Sequence, residues 1–310
     1  MEGVTEGPGK GQTDRARLSL SEAEVATPRP RWRVSRAIVS RPSTLAGAII
    51  VFLFVLMAVV GPLLTPHDPV AIYYSAVQAP PSAAFPFGTD DAGRDILSRV
   101  LAGARISLIV GLVAVGIATV CGTVLGLLAG YLGGWVDGLI MRAMDVMLSF
   151  PDILLAIVII AILGPGLLNV MVAVGIAAIP IYARTVRAAT LEVREQDYVE
   201  AARALGASAW RIMTAHILRN VAGPITVLVT LSVGFAILTT AGLSFVGLGA
   251  QAPTPEWGDM LNEAQNYLQQ AWWMAVFPGG AITLTVIGLN LLGDGLREAL
   301  DPHARDVGGR

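Results

Sequence analysis

The sequence is almost without lysine: only Lys10 among its 21 basic residues is a lysine. A nucleotide-binding P-loop needs a lysine that is followed directly by serine or threonine. Lys10 is followed by Gly11, so the sequence contains no P-loop. The chain is therefore not expected to hydrolyse ATP itself.

Cysteine and histidine are also scarce. Cys121 is the only cysteine, which excludes a disulfide within the chain and a cluster of metal-binding thiolates. The three histidines, His67, His216 and His303, lie in separate regions and predict no metal site. No cofactor is expected in this chain.

Charged residues make up only 14% of the sequence and hydrophobic residues 54%. An ordinary soluble domain carries about 25% charged residues, so the composition favours a membrane protein. Stretches of roughly 20 apolar residues are long enough to cross a bilayer. Six such stretches predict an all-α polytopic membrane protein with six transmembrane helices: 45–64, 106–130, 138–163, 167–189, 221–248 and 274–296.

These spans divide the chain. Residues 1–44 are predicted to form a disordered cytoplasmic tail, because they are polar and lack an apolar period. The first span, 45–64, begins too far from the N-terminus for a cleaved signal peptide. An extracytoplasmic segment is predicted at 65–104. It is followed by a core with five transmembrane helices at 105–296, which includes a cytoplasmic loop at 190–220, and by a cytoplasmic tail at 297–310.

The basic residues set the expected orientation, because cytoplasmic loops are rich in arginine and lysine. Eighteen of the 21 basic residues fall on one side of the predicted spans, and only Arg94, Arg99 and Arg105 fall on the other. Both termini and loop 190–220 are therefore predicted to be cytoplasmic, in the cytoplasmic membrane. The membrane topology accounts for the basic residues, so they are not evidence for binding to nucleic acid. Membrane lipid is an expected partner, and nucleic acid is not.

Loop 190–220 contains the stretch YVEAARALGASAWRIMTAHILRN, which starts at Tyr198. Its period is helical, with Leu205, Ile212 and Met213 on one side. Gly206 interrupts the run and Ser208 can cap a following helix, which predicts two short helices with a bend. The segment has small alanines and no large apolar wedge on one face. This composition favours insertion into the groove of a partner over an interfacial anchor.

The residues of this stretch resemble the EAA loop of the permease subunits of ABC importers. The matching pattern is Glu200-Ala201-Ala202, three residues, Gly206, nine residues, then His-Ile-Leu. The resemblance implies a coupling helix that docks into a cleft of a cytoplasmic ATPase. It implies Glu200 as the polar anchor, Ala201 and Ala202 as the packing surface and Gly206 as the bend. Arg219 stands where the family usually has proline, so the helix is free to continue to Pro224.

A second stretch, PFGTDDAGRDILSR (residues 86–99), looks like the outer segment of dipeptide, oligopeptide and nickel permeases. Thr89 or Asp90 can cap a helix, and Asp95 can pair with Arg94 or Arg99. An alternative is a calcium site of Asp90, Asp91 and Asp95, but its spacing matches no known cation loop. The motif residues are Gly88, Thr89, Asp90, Gly93, Arg94 and Asp95, and no metal is predicted.

A third stretch, GLSFVGLGAQAPTPEWGDML (residues 242–261), and the C-terminal NLLGDGLREALDP resemble the same permeases. Glu256, Asp259 and Glu263 make the outer loop acidic, and Trp257, Trp272 and Trp273 are of the type found at membrane interfaces. The loop is interpreted as an outer gate or a dock for a solute-binding protein, or else as an ordinary folded loop.

Taken together, these motifs identify the chain as similar to the second permease subunit of peptide ABC importers. The resemblance implies the type I permease fold, a non-catalytic subunit, alternating access, and transport of dipeptides or short peptides, with nickel or another small solute as the alternative. The implied partners are a homologous permease in a heterodimer, two cytoplasmic ATP-binding subunits or domains, and an extracytoplasmic solute-binding protein.

A secondary carrier is the rival interpretation, because ionisable residues within spans often couple ions. Arg142 and Asp145 are spaced to form a local pair, and Asp152 follows Pro151, which is expected to kink or break the third span. A glycine stripe of Gly122, Gly126 and Gly130 predicts close helix packing, either within the chain or against a partner.

Overall fold

A computed structural model of the protein describes residues 41–300. Within that range the chain is helical, and its only β-type pairing is an isolated bridge between Thr89 and Asp95. The all-α prediction is confirmed. The helices are α1 (Pro42–Leu64), α2 (Ile96–Leu132), α3 (Gly134–Leu148), α4 (Asp152–Leu163), α5 (Leu167–Arg194), α6 (Asp197–Ala204), α7 (Ala209–Phe245), α8 (Trp257–Ala264) and α9 (Trp273–Leu300). The predicted tails at 1–40 and 301–310 lie outside the described residues.

Five helices, α1, α2, α5, α7 and α9, are long and apolar enough to cross a membrane. Helices α3 and α4 qualify only as a pair, and they are bent by 93° relative to each other. The six predicted spans are therefore present if this pair is one broken span. Pro151 precedes α4 in an extended conformation, which confirms the expected break, because proline cannot continue the hydrogen-bond ladder of α3.

Helix α2 begins at Ile96, well before the apolar stretch at 106–130. Its first turns include Ser98 and Arg99, which are buried within the protein. Apolar length marks only the part of a helix that meets lipid, so the sequence pattern placed the start of this helix too late.

Helix α7 joins two segments that were predicted to be separate. It begins at Ala209, contains a π-helical stretch from Ile212 to Ile217, and continues to Phe245. The expectation that Arg219 lets the helix run on is confirmed, and the helix also continues through Pro224. The predicted second short helix is therefore the first turns of a transmembrane helix.

The glycine stripe of α2 packs against α5 of the same chain. A β-carbon at Gly126 would lie 2.6 Å from the Ala183 carbonyl oxygen, and one at Gly130 would lie 2.7 Å from Thr190 Cβ. These distances are too short for any residue except glycine, so the stripe fixes the distance between the two helices.

Ion pairs attach α3 to α5. Arg187 donates to both carboxylate oxygens of Asp137, at 2.5 and 2.6 Å. Asp145 pairs with Arg184. The predicted pair between Arg142 and Asp145 is wrong, because α5 lies beside α3 and supplies a better placed arginine.

The helix ends separate into two faces. On one face Arg41, before α1, pairs with Glu298 of α9, and Arg194 donates to the Gly130 carbonyl at 3.0 Å. On the opposite face the α4–α5 turn meets the end of α7, where the Gly166 amide donates to the Leu248 carbonyl at 3.0 Å. Segments 65–95 and 246–272 lie on this second face.

Candidate functional site

Residues 195–217 lie on the same face as the first turn of α1, and they comprise the connection between α5 and α7 together with the first turns of α7. Val199, Ile212 and Ile217 have no exposed surface and pack in one apolar cluster with Leu127 and Val186. Burial of such side chains contributes about 1.5–3 kcal/mol each. The connection is therefore fixed to the ends of α2 and α5.

A bend at Gly206 separates α6 from α7, as predicted. The φ angle of Gly206 is +80°, a conformation that L-residues rarely adopt. The amide of Ala207 donates back to the Ala202 carbonyl at 3.1 Å, which closes the C-terminal turn of α6. Ser208 then caps α7, accepting a hydrogen bond from the Arg211 amide at 3.3 Å.

The outer surface of this connection carries the residues of the EAA pattern. Glu200 and Ala201 are exposed, and Ala202 is half-buried. Leu205 is 89% exposed and Trp210 is 70% exposed. We call Glu200, Ala201, Leu205, Gly206 and Trp210 the α6–α7 surface.

Leu205 and Trp210 were missed by sequence reasoning. The helical period placed Leu205 beside Ile212, but the Gly206 bend ends the period, and only Ile212 is buried. Two large apolar side chains are therefore exposed in this region, one on each side of the bend. A usable signal was present: the two large apolar residues flank a Gly-Ala-Ser helix break.

On the opposite face, residues 86–95 fold into a tight turn before α2. Gly93 has a φ of +85°, and a β-carbon at this position would collide with the Tyr73 carbonyl. The Asp90 carboxylate accepts from the amides of Ala92 at 3.0 Å and Arg94 at 2.8 Å. The turn is therefore specified by Gly93 and Asp90 together.

Asp95, rather than Thr89 or Asp90, caps α2. Its carboxylate accepts from the Ser98 amide at 3.2 Å and the Ser98 hydroxyl at 2.6 Å. The same carboxylate lies 3.2 Å from Nδ1 of the His67 imidazole. The predicted pairing of Asp95 with an arginine is wrong, because the cap turns the carboxylate toward Ser98.

The arginines of this motif instead meet the acidic loop after α7. Arg94 Nε donates to Asp90 at 2.6 Å, and Arg94 Nη2 donates to Glu263 at 2.7 Å. Arg99 has no exposed surface and donates to the other oxygen of Glu263 at 3.0 Å. We call Asp90, Arg94, Arg99, Asp259 and Glu263 the outer cluster.

The calcium alternative does not match this arrangement. The carboxylates that approach one another are those of Asp90, Asp91 and Glu263, and Asp95 is not among them. Arg94 lies within 4 Å of all three, at 2.6, 3.7 and 2.7 Å. The Arg94 guanidinium therefore forms an ion pair with each of these acids.

The acidic residues Glu256 and Asp259 of the loop after α7 are buried rather than exposed to solvent. Glu256 caps α8 by accepting from the amides of Gly258 and Asp259, both at 3.0 Å. Trp257 is fully buried and donates from Nε1 to the Val100 carbonyl at 3.1 Å. Its predicted position at the membrane interface is wrong, whereas Trp272 is exposed.

Burial changes the acidity of two of these carboxyls. Desolvation raises the pKa of Glu256 above its ordinary value, although backbone amides oppose the shift. Desolvation and the charges of Glu263 and Glu256 raise the pKa of Asp259 to about 7. Asp259 Oδ2 is buried without a hydrogen-bond partner in the described part of the chain. The Asp259 carboxyl therefore gains or loses its proton near neutral pH.

Comparisons with known proteins agree with this architecture. Residues 122–306 match the family described as binding-protein-dependent transport system inner membrane component. Residues 30–81 match the N-terminal TM domain of oligopeptide transport permease C.

Individual relatives extend over nearly the whole chain. A di/tripeptide transport system permease protein of Pseudomonas aeruginosa is 43% identical over 93% of this chain and 97% of its own length. A dipeptide transport system permease protein of Alkalihalophilus pseudofirmus is 48% identical over 88% of this chain and 90% of its own length. A glutathione transport system permease protein of Salmonella paratyphi A is 49% identical over 91% and 93%. The chain therefore belongs to the inner membrane components of binding-protein-dependent transport systems, the permease subunits of ABC importers.

Proposed function

We propose that the chain is one of two permease subunits in an ATP-driven importer of dipeptides or short peptides. Its relatives are named for dipeptide, di/tripeptide and glutathione transport, which supports a peptide substrate. A homologous permease completes the pathway, two cytoplasmic ATP-binding subunits or domains supply the energy, and an external solute-binding protein delivers the peptide. This chain makes and breaks no covalent bond and needs no cofactor.

The orientation follows from the distribution of arginine over the two faces. The α6–α7 surface lies on the face that carries Arg194, Arg203, Arg211 and Arg219. Arginine-rich faces are cytoplasmic, which supports a cytoplasmic position for this surface and for both termini. The outer cluster then faces the side from which the peptide arrives.

The observation that carries the proposal is the mechanical continuity between the α6–α7 surface and the transmembrane helices. Trp210 lies in the first turn of α7, which continues through its π-helical stretch and Pro224 to Phe245 near the outer face. Arg203 lies over the Tyr131 ring, 5.8 Å from its centroid, and links α6 to the end of α2. Movement of an ATPase bound to Leu205 and Trp210 would be transmitted to α7, which would tilt and open or close the pathway.

A vesicle assay with the complete importer tests this proposal. Trp210→Ala is expected to reduce ATP-driven dipeptide uptake and recovery of the ATPase with the permease. Trp272→Ala removes an exposed tryptophan from the opposite face and is the matched control. Normal uptake and ATPase recovery in Trp210→Ala, or uptake by wild-type protein without ATP, would contradict the proposal.

A further inference from the structure

A cavity lies beside the break in the third span. It has a volume of about 60 Å³ and is enclosed by α2, α4, α5 and α7. Its wall is mainly alanine, valine and other apolar side chains, but Asp152, Tyr182 and Ser232 also line it. A space of this size holds a few water molecules or one small polar group of a ligand.

Asp152 is held at the start of α4, within the depth of the membrane. Tyr182, on the opposite wall, lies roughly 18 Å along α5 from Arg194 and 22 Å from Leu167 at 1.5 Å per residue. A carboxylate in this position costs about 2.5–3.5 kcal/mol when it faces lipid. Asp152 is therefore expected to face a hydrated pathway or another protein surface.

The carboxylate of Asp152 accepts one local hydrogen bond and remains able to bind a ligand. Its Oδ1 accepts from the Ile153 amide at 2.9 Å. The neighbouring acids Asp137 and Asp145 of α3 both pair with arginines, whereas Asp152 has no ion pair within residues 41–300. Asp152 is exposed and lies at the mouth of the cavity.

Tyr182 supplies a second, independent indication of a ligand. The side chain has no exposed surface, and its hydroxyl makes no hydrogen bond of normal geometry within the described residues. Ser232 and Thr119 are its polar neighbours. A buried hydroxyl without a partner costs about 1–3 kcal/mol, and a ligand that enters the cavity would recover this energy.

We propose that Asp152, Tyr182 and Ser232 form a subsite for the N-terminal ammonium group of the transported peptide. An ammonium carries three donors and one positive charge, which matches a carboxylate and two hydroxyl oxygens in an apolar surround. The cavity accommodates the ammonium and its adjoining carbon but not a whole dipeptide. The remainder of the peptide therefore contacts the partner permease. This inference rests on the proposed peptide-importer function.

The subsite is tested in the complete importer in vesicles, by measuring both dialanine uptake and ATP hydrolysis. Asp152→Asn is expected to lower uptake per ATP about tenfold, the effect of losing ~1.4 kcal/mol. Asp152→Glu keeps the charge and is expected to recover much of the uptake. Asp294→Asn removes an exposed carboxylate from α9, away from the cavity, and is expected to leave uptake unchanged.

Tyr182→Phe separates ligand binding from folding. It keeps the aromatic ring in the core and removes only the hydroxyl, so the variant is expected to fold, yet uptake is expected to fall severalfold. The subsite is wrong if Asp152→Asn and Tyr182→Phe both transport like wild type, or if uptake and ATP hydrolysis fall equally. It is also wrong if peptide uptake moves protons and Asp152→Asn abolishes that movement. Absence of ATP-driven uptake in wild type would instead refute the proposed function itself.

Discussion

Arg94 and Glu263 are 169 residues apart in the sequence and are joined by a hydrogen bond of 2.7 Å. Arg94 belongs to the turn before α2, and Glu263 belongs to α8 after α7. Both are largely buried, and Glu263 also accepts from Arg99. The two sequence motifs of the outer face are therefore parts of one cluster, which attaches α8 to the beginning of α2.

Arg94→Ala is expected to destabilise the permease. Removing one partner of a buried ion pair typically costs about 3–5 kcal/mol, because the other charges remain buried. Arg94→Lys should recover only part of this loss, since an ammonium does not reproduce the planar contacts to both Asp90 and Glu263. Thermal unfolding of the purified permease pair in detergent measures the effect.

Arg105→Ala is the control for this prediction, because Arg105 is exposed near the same end of α2. It is expected to leave the unfolding temperature nearly unchanged. Equal unfolding temperatures for Arg94→Ala and Arg105→Ala would show that the outer cluster does not stabilise the fold.

Asp259 gives the stability a predictable pH dependence. Its pKa is about 7 in the folded protein, raised by desolvation and by Glu263 and Glu256, against the opposing charges of Arg99 and Arg94. In an unfolded chain an aspartate loses its proton near pH 3.9. Between these values the folded state binds the extra proton, so the free energy of unfolding decreases as pH rises from about 4 to about 7.

Asp259→Asn is expected to flatten this part of the pH profile, since an amide does not titrate. The raised pKa of Glu256 acts in the same direction and leaves a residual slope. Unfolding temperatures of wild type and variant should therefore differ more at pH 7.5 than at pH 4.5, with the variant more stable at the higher pH. Parallel profiles would contradict the assignment.

The contact between α2 and α5 is expected to tolerate no side chain at Gly126. A β-carbon there would lie 2.6 Å from the Ala183 carbonyl oxygen, and backbone cannot move as easily as a side chain. Overpacking of this kind costs about 1–3 kcal/mol. Gly116→Ala on the same helix meets no atom within 4 Å and is the control. Thermal unfolding should separate the two variants, and equal stability would show that α2 and α5 can move apart.

Sequence reasoning located the helices where lipid is the solvent and failed where polar groups are buried in protein. The apolar stretches gave the spans, and Pro151 gave the break between α3 and α4. The start of α2 was misplaced, because Arg99 is buried against Glu263 and resembles an exposed residue in a hydropathy pattern. Trp257 was misplaced for the related reason that its Nε1 finds a backbone acceptor inside the fold.

The shape of the α6–α7 surface was predicted in part. Gly206 favours a positive φ and Ser208 can cap a helix, so the bend between α6 and α7 could be predicted from the sequence. The exposure of Leu205 could not be predicted, because the helical period does not continue across the bend at Gly206. The pairing of Asp145 with Arg184 depends on how α3 crosses α5, which one sequence does not specify.

Cross-linking at the α6–α7 surface tests most directly whether this surface transmits movement from the ATPase. Cys121 is the only native cysteine, so Cys121→Ser gives a background in which a single new cysteine can be placed. Leu205→Cys is expected to cross-link to the ATP-binding subunit in the assembled importer, with a yield that changes when ATP is bound. Trp272→Cys, on the opposite face, is expected to form no such product. Absence of an ATPase cross-link from Leu205→Cys in an importer that still transports would contradict the account.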